Sequence, residues 1–466
     1  MKKNIYIIIF LGSLLIGCLG GCSDDAIKAA REVSFIDYIP KEGEAGGSMT
    51  IEGMNITADI AKIHVTVGGV KAKVKTCDGS AILCEIPANK IAQAEVNVKI
   101  MSKDGMIEDE YTFPNKFSYL SVTGASVQVS TICGVGTTPI DGSFLVASFG
   151  SPNCLRLDPV DNRTLFMVED KFSGGTGDFR RINMDAETVE TLITRANAGW
   201  DRVRSLSWSK DKNTLYMADC HNPSTTMPSI SYYLRSEDFK IMHNTYLDGI
   251  GQTARADVVS CNPYDNTLFY FSRYNSTVFK LFCDESTLEW KVEQMFSLKD
   301  LVGDQKQPAD FVFHPSGEFA YICMWQTNGI LKAKYNKNTK TLEKAELFVG
   351  ANDDNAKDFV NGKGTDVRFN HLGCGCFVKN SAYTGQDDEY DFYVCDQDNH
   401  CIRKVTPDGT VSTFVGRAKT SGNVDGEGGT EALFNGPWGI TYDEENTCFY
   451  ISEANNRRIR KVQIED

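Results

Sequence analysis

Histidine is scarce, with six in 466 residues, and none stands in a Ser/His/Asp spacing or a metal motif such as HExxH. No CxxC pair occurs. The one CxC, Cys374 and Cys376, has no second pair nearby, which argues against a zinc site. Positive charge is also short: 48 Lys and Arg face 62 Asp and Glu, a net charge of −14. A general field of that sign does not suit duplex nucleic acid or an anionic membrane face, since both need a positive patch. The main apolar run, from Ile5 to Ile16, falls short of the roughly 20 residues that a membrane-spanning helix needs.

What is present suffices for real cores: 41% hydrophobic and 11% aromatic residues, over a length that allows two to four domains. Most cysteines sit inside apolar runs, as Cys323 does in "AYICMW" and Cys395 in "FYVCDQ", and read as small core hydrophobes. Cys77 and Cys84 flank "DGSAIL" and form a candidate disulfide across a hairpin. So many unpaired thiols outside the cytoplasm suit an anaerobic habitat.

Residues 1–22 read as a secretory leader: Lys2 and Lys3, the apolar run, then small residues. Its end resembles the lipobox of bacterial lipoproteins. Two frames fit, Leu15-Ile16-Gly17-Cys18 and Leu19-Gly20-Gly21-Cys22. Ser23, Asp24 and Asp25 follow the second and resemble the surface-export signal of Bacteroidetes lipoproteins, so Cys22 is the expected lipidation site and Cys18 the alternative. The resemblance implies an outer-membrane protein held without a spanning helix by two or three acyl chains on that cysteine, since one chain holds only marginally.

From residue 32 to 120, short alternating runs are split by turns such as Asp78-Gly79 and Asp104-Gly105, which predicts an immunoglobulin-sized β-sandwich. "IPKEGEAGGSMTIEGMNI", "VTVGGVKAKV", "IPANK" and "KFSYL" resemble an IPT/TIG domain, with Ile56 where that family has Phe. The resemblance implies a spacer or interaction module.

Residues 122–466 repeat. Six units pair an apolar strand and turn with a second strand, beginning at Leu165, Leu215, Leu268, Ala320, Phe392 and Phe449. Six four-stranded sheets around an axis predict an all-β, six-bladed β-propeller. The last unit holds only three strands. "VSTICGVGTTPIDGSFLVASFG" (129–150) copies "VSTFVGRAKTSGNVDGEGGTEALFN" (411–435), with a fainter copy at 347–370, so residues 128–133 are expected to complete the last blade. "FYVCDQDNHCIRKVTPDGTVSTFVG" and "FNGPWGITYDEENTCFYISEANNRRIRKV" resemble NHL repeats. Such propellers bind proteins, RNA or small molecules, and related ones include lactonases and lyases, so the fold leaves function open.

Glu169, Asp219, Asp396 and Glu453 close second strands, where a carboxylate can accept N–H bonds from the following turn. The basic runs "CIRKV" and "RRIRKV" read as solvated strand faces. At the starts of the six innermost strands, one aligned position holds Asn153, Arg204, Asp257, Ala309, Gly373 and Trp438. Two residues earlier come Ser151, Arg202, Arg255, Gln307, His371 and Gly436. Arginine forks grip carboxylates or sulfates, and an exposed tryptophan offers a platform to a sugar face. The same arginines could instead pair with Asp201 and Asp257 and stiffen the channel.

The expected site is therefore Asn153, Arg202, Arg204, Arg255, Asp257, Gln307, His371 and Trp438, taking a glycan or other polar small ligand without cofactor or metal. An outer-membrane protein partner, for which the chain would be an interaction scaffold, is the second reading. A lactonase-like hydrolase or lyase is the third: Asn153 in "SPNCL" matches the lactonase Pro-Asn-Gly-Leu turn in part, without a visible Glu partner.

Overall fold

The computed structural model describes residues 32–465 apart from 44–46, 88, 90–92, 120–125, 171–175, 221–228, 246–254, 285, 288 and 429–430. Cys18 and Cys22 lie outside the described residues. Two compact units emerge: one takes residues up to Lys41, Ser48–Ile86 and Glu95–Asn115, the other Glu42–Gly47, Pro87–Ala94 and Lys116–Asp466.

The first unit is a sandwich of two antiparallel sheets. One runs in the order Ser34–Ile39, Ser48–Met54, Ala81–Glu85, Lys73–Cys77; the other Ile107–Thr112, Val96–Met101, Ile63–Val67, Val70–Lys71. Alternation sets the faces: Met49 and Ile51, Val65 and Val67, and Val96, Val98 and Ile100 point inward. The turn at Asp78-Gly79 forms as expected, with Asp78 Oδ1 accepting the N–H groups of Ser80 (2.9 Å) and Ala81 (2.8 Å) and Gly79 at φ 92°. Its register does not set Cys77 against Cys84. Cys77 opposes Ile82 and Cys84 opposes Val74, and both thiols are free.

Six blades make up the second unit, which also holds a small sheet of Glu42–Gly43, Phe117–Tyr119 and Gln93–Ala94. The innermost strands are Pro152–Leu157, Val203–Trp208, Val258–Cys261, Pro308–Phe313, Leu372–Lys379 and Pro437–Asp443 in blades 1 to 6. Each touches the next, and the sixth touches the first. Large apolar side chains fill the seams between blades, such as Phe166 on Trp208, Tyr321 on Phe392 and Tyr393 on Phe449. Blade 6 is completed by Ser126–Cys133, which pairs antiparallel with Arg458–Glu465, Val129 opposite Val462. The early strand thus closes the ring, as its sequence copy predicts.

The three copied segments share a second role. After the outer strand of one blade, the chain crosses to the outer edge of the next, placing Asp141 on blade 1, Asn361 on blade 5 and Asp425 on blade 6. A buried arginine in each receiving blade binds both that residue and the acid closing the second strand. Arg180 holds Glu169 (2.9 Å) and Asp141 (2.7 Å); Arg403 holds Asp396 (2.8 Å) and Asn361 (2.6 Å). Arg460 holds Glu453 (2.8 Å) and Asp425 (2.7 Å). Arg403 and Arg460 are fully buried, so "CIRKV" and "RRIRKV" are not solvated faces. The third strands lie between two others with both faces covered, and only a guanidinium fork can reach two acceptors there.

Candidate functional site

The inner strands do not start straight. Five of them lose register beside their second strand at Asn153, Arg204, Ala309, Gly373 and Trp438. A bulge re-aims the side chain it contains, so the aligned position is a repeated structural feature. Asp257 differs: it stands just before an unbulged strand and gives its N–H to Phe271 O (2.8 Å).

The closing acids hold these strand starts in place. Glu169 accepts Gly150 N–H (3.2 Å), Asp219 accepts Arg202 N–H (2.7 Å), Asp396 accepts Asn370 N–H (2.8 Å) and Glu453 accepts Asn435 N–H (2.6 Å). The bonds come chiefly from the chain leading into the inner strand. The following turn adds side-chain amides, Asn399 to Asp396 and Asn456 to Glu453, each at 2.9 Å.

Blades 1 to 4 bring a charged cluster together. Asp170 grips Arg202 through Nε (2.9 Å) and Nη2, and its carboxylate lies 3.9 Å from Arg204 Nη2. The Cys220 thiol donates to Asp257 Oδ1 (2.9 Å) and meets Arg255 Nη2 at 2.8 Å. Arg273 gives its N–H to Asp257 Oδ2 (2.7 Å) and reaches Gln307 Oε1 (3.4 Å). Four guanidinium groups share two aspartates: Arg202 and Arg204 face Asp170, and Arg255 Nε (3.8 Å) and Arg273 Nε (3.5 Å) face Asp257. Burial, aided by the charge of Arg202, pulls Arg204 down to about 10, which leaves it charged at neutral pH. Burial pushes the Cys220 thiol up to about 11, so it stays protonated.

His371 belongs to the other side of the ring. It stacks on Trp325 at 4.1 Å and 8°, with Nδ1 2.6 Å from Asp398. Trp325 donates its indole N–H to Gln397 (2.8 Å). Trp438 is not an exposed platform: it is 5% exposed and packs into the interblade core. Gly373 lets the neighbouring strand close over it, since a Cβ there would lie 2.6 Å from the Trp438 carbonyl oxygen. Asn153 turns its side-chain oxygen to its own neighbour, Cys154 N–H (2.9 Å).

Several buried donors of this ring make no hydrogen bond among the described residues: Arg204 Nε and Nη1, Arg255 Nε and Trp438 Nε1, with Ser151 Oγ beside them in sequence register. Arg204 is 3% exposed. Deeper along the axis, Arg156 of blade 1 binds Asp310 of blade 4 at 2.7 and 2.8 Å. Strand-start alignment missed Asp170, Cys220, Arg273 and Trp325. Each stands one residue past its second strand, and the N–H groups of Asp170 and Cys220 bond back to Ser151 O (2.8 Å) and Arg202 O (2.9 Å). The same offset in every repeat was the available signal.

An IPT/TIG domain model matches residues 34–119. The crystal structure of an auxiliary nutrient binding protein from Bacteroides thetaiotaomicron VPI-5482 is 33% identical and covers 93% of this chain and 98% of that one, at TM-score 0.64. The chain belongs to that protein's family. The crystal structure of an auxiliary nutrient binding protein from Bacteroides ovatus ATCC 8483 is 27% identical over 93% of this chain and 98% of that one, at TM-score 0.64. NHL repeat-containing protein 2 of Homo sapiens is 32% identical over 73 residues, so the match spans 10% of that curated relative and 16% of this chain.

Proposed function

We propose that this chain is a surface lipoprotein, anchored at Cys22, that binds an acidic glycan at the ring of inner-strand starts as an accessory to polysaccharide use. The observation that carries the reading is the set of buried donors on Arg204, Arg255 and Trp438 that make no hydrogen bond among the described residues. An unmet buried donor costs about 1–3 kcal/mol, more when charged, and an acceptor-rich ligand would meet several at once. Carboxylate or sulfate groups suit guanidinium forks best. The names of the two Bacteroides relatives, auxiliary nutrient binding proteins, agree with an accessory role.

Isothermal titration of the purified protein with polygalacturonate, chondroitin sulfate and neutral dextran tests this. Heat from an acidic polymer and none from dextran is expected. Arg204→Gln should raise Kd at least tenfold, and Trp438→Phe, which removes the indole donor along with some core volume, by less. No heat from any polymer, or unchanged affinity in Arg204→Gln, would sink the reading.

A further inference from the structure

A cavity of about 360 Å³ opens between blades 5 and 6, at the far end of the inner strands from the arginine ring. Its size is at the lower end of the roughly 300–1,000 Å³ typical of small-molecule sites. One part of its wall is aromatic: Tyr393, Phe414 and Tyr442, all packed on buried Phe449 at 4.7, 5.2 and 4.8 Å. The polar part holds Asp391, Asn380 and Lys404. Asp391 is 2% exposed, and its carboxylate is fixed by Asn380 Nδ2 (2.7 Å) and Tyr383 Oη (3.2 Å), with Lys404 Nζ at 3.9 Å.

We infer that this cleft is a second binding site, for a neutral saccharide of one or two rings. A sugar ring offers an apolar C–H face to aromatic rings, while its hydroxyls both donate and accept. The cleft pairs a fixed acceptor, Asp391, with donors on Asn380 and Lys404. The charges of Asp391 and Lys404 offset each other, and the other lining ammonium, Lys379, is tied to Glu389 at 2.9 Å. An anion therefore gains little here, in contrast to the ring of strand starts. The inference does not depend on the function proposed for that ring.

Saturation-transfer NMR of the purified protein with glucose, galactose, xylose, maltose and cellobiose tests it. Transfer to at least one sugar is expected, and it should vanish in Ser381→Trp, which fills the cleft from an exposed lining position. Asp391→Asn should weaken binding at least tenfold, with circular dichroism confirming that both variants are folded; if either is not, Phe414→Ala serves in its place. No transfer to any of the five sugars, or undiminished transfer in a folded cleft variant, would overturn the inference. Arg204→Gln should leave the transfer unchanged; its loss there would move the sugar to the ring and equally overturn the cleft site.

Discussion

Arg156 and Asp310 meet across the propeller axis, joining the inner strands of blades 1 and 4 through both carboxylate oxygens at 2.7 and 2.8 Å. Asp310 is fully buried and also accepts the N–H groups of Phe311 (2.9 Å) and Gly375 (3.2 Å). The pair ties blades 1, 4 and 5 at the centre, and it lies inward of the candidate ring.

Removing one partner strands a buried charge. Asp310→Ala should lower unfolding stability by about 3–5 kcal/mol, measured by urea denaturation. The double variant Arg156→Met/Asp310→Leu should recover most of that loss, because paired removal leaves no orphan charge.

The seam makes a different demand. Ser126–Cys133 is bonded on both edges, to Arg458–Glu465 and to Gly426–Glu427. Val129→Pro deletes a ladder donor in the middle of that strand. The variant should lose cooperative thermal unfolding of the propeller as followed by far-ultraviolet circular dichroism.

Arg403 bridges Asp396 and the incoming loop at Asn361. Arg403→Lys offers a single point charge in place of a fork. It should be destabilising by about 1–3 kcal/mol, and Arg403→Met by about 3–5 kcal/mol because buried Asp396 is left uncompensated. Denaturant midpoints at constant slope would rank the three proteins.

Acid should weaken the fold. Burial pushes the imidazoles of His314 and His400 down; Asp388 and Glu318 oppose this at His314 while Lys332 adds to it, and Asp398 opposes it at His400. Both groups therefore bind fewer protons folded than unfolded, so stability rises with pH through that window and falls as pH drops below about 6.5. Melting temperatures from pH 7.5 to 5.5 should show the fall, and His314→Gln should reduce it.

The sequence made the blades readable because each second strand is a mostly apolar run that recurs along the chain, beginning for example at Leu165 and Phe449 and closing on Glu169 and Glu453. The copied segment at 129–150 exposed the seam for the same reason. Burial of Arg403 and Arg460 was not readable, because strands covered on both faces lose the alternation that marks an outward side. Trp438 failed as a platform through its neighbour: Gly373, on another blade, decides how closely the strands approach. The cleft of Asp391 and Phe414 was hidden because its lining comes from two blades at once.

The strand that seals the ring precedes every blade in the sequence, and its partner, Arg458–Glu465, follows the inner strands of all six. Synthesis therefore leaves the early strand with an open edge until its partner strand has been made. A product cut short of Arg458 would carry an unsatisfied β-edge, a form prone to aggregate. Synthesis through Arg458–Glu465 is in effect the licence for a closed ring.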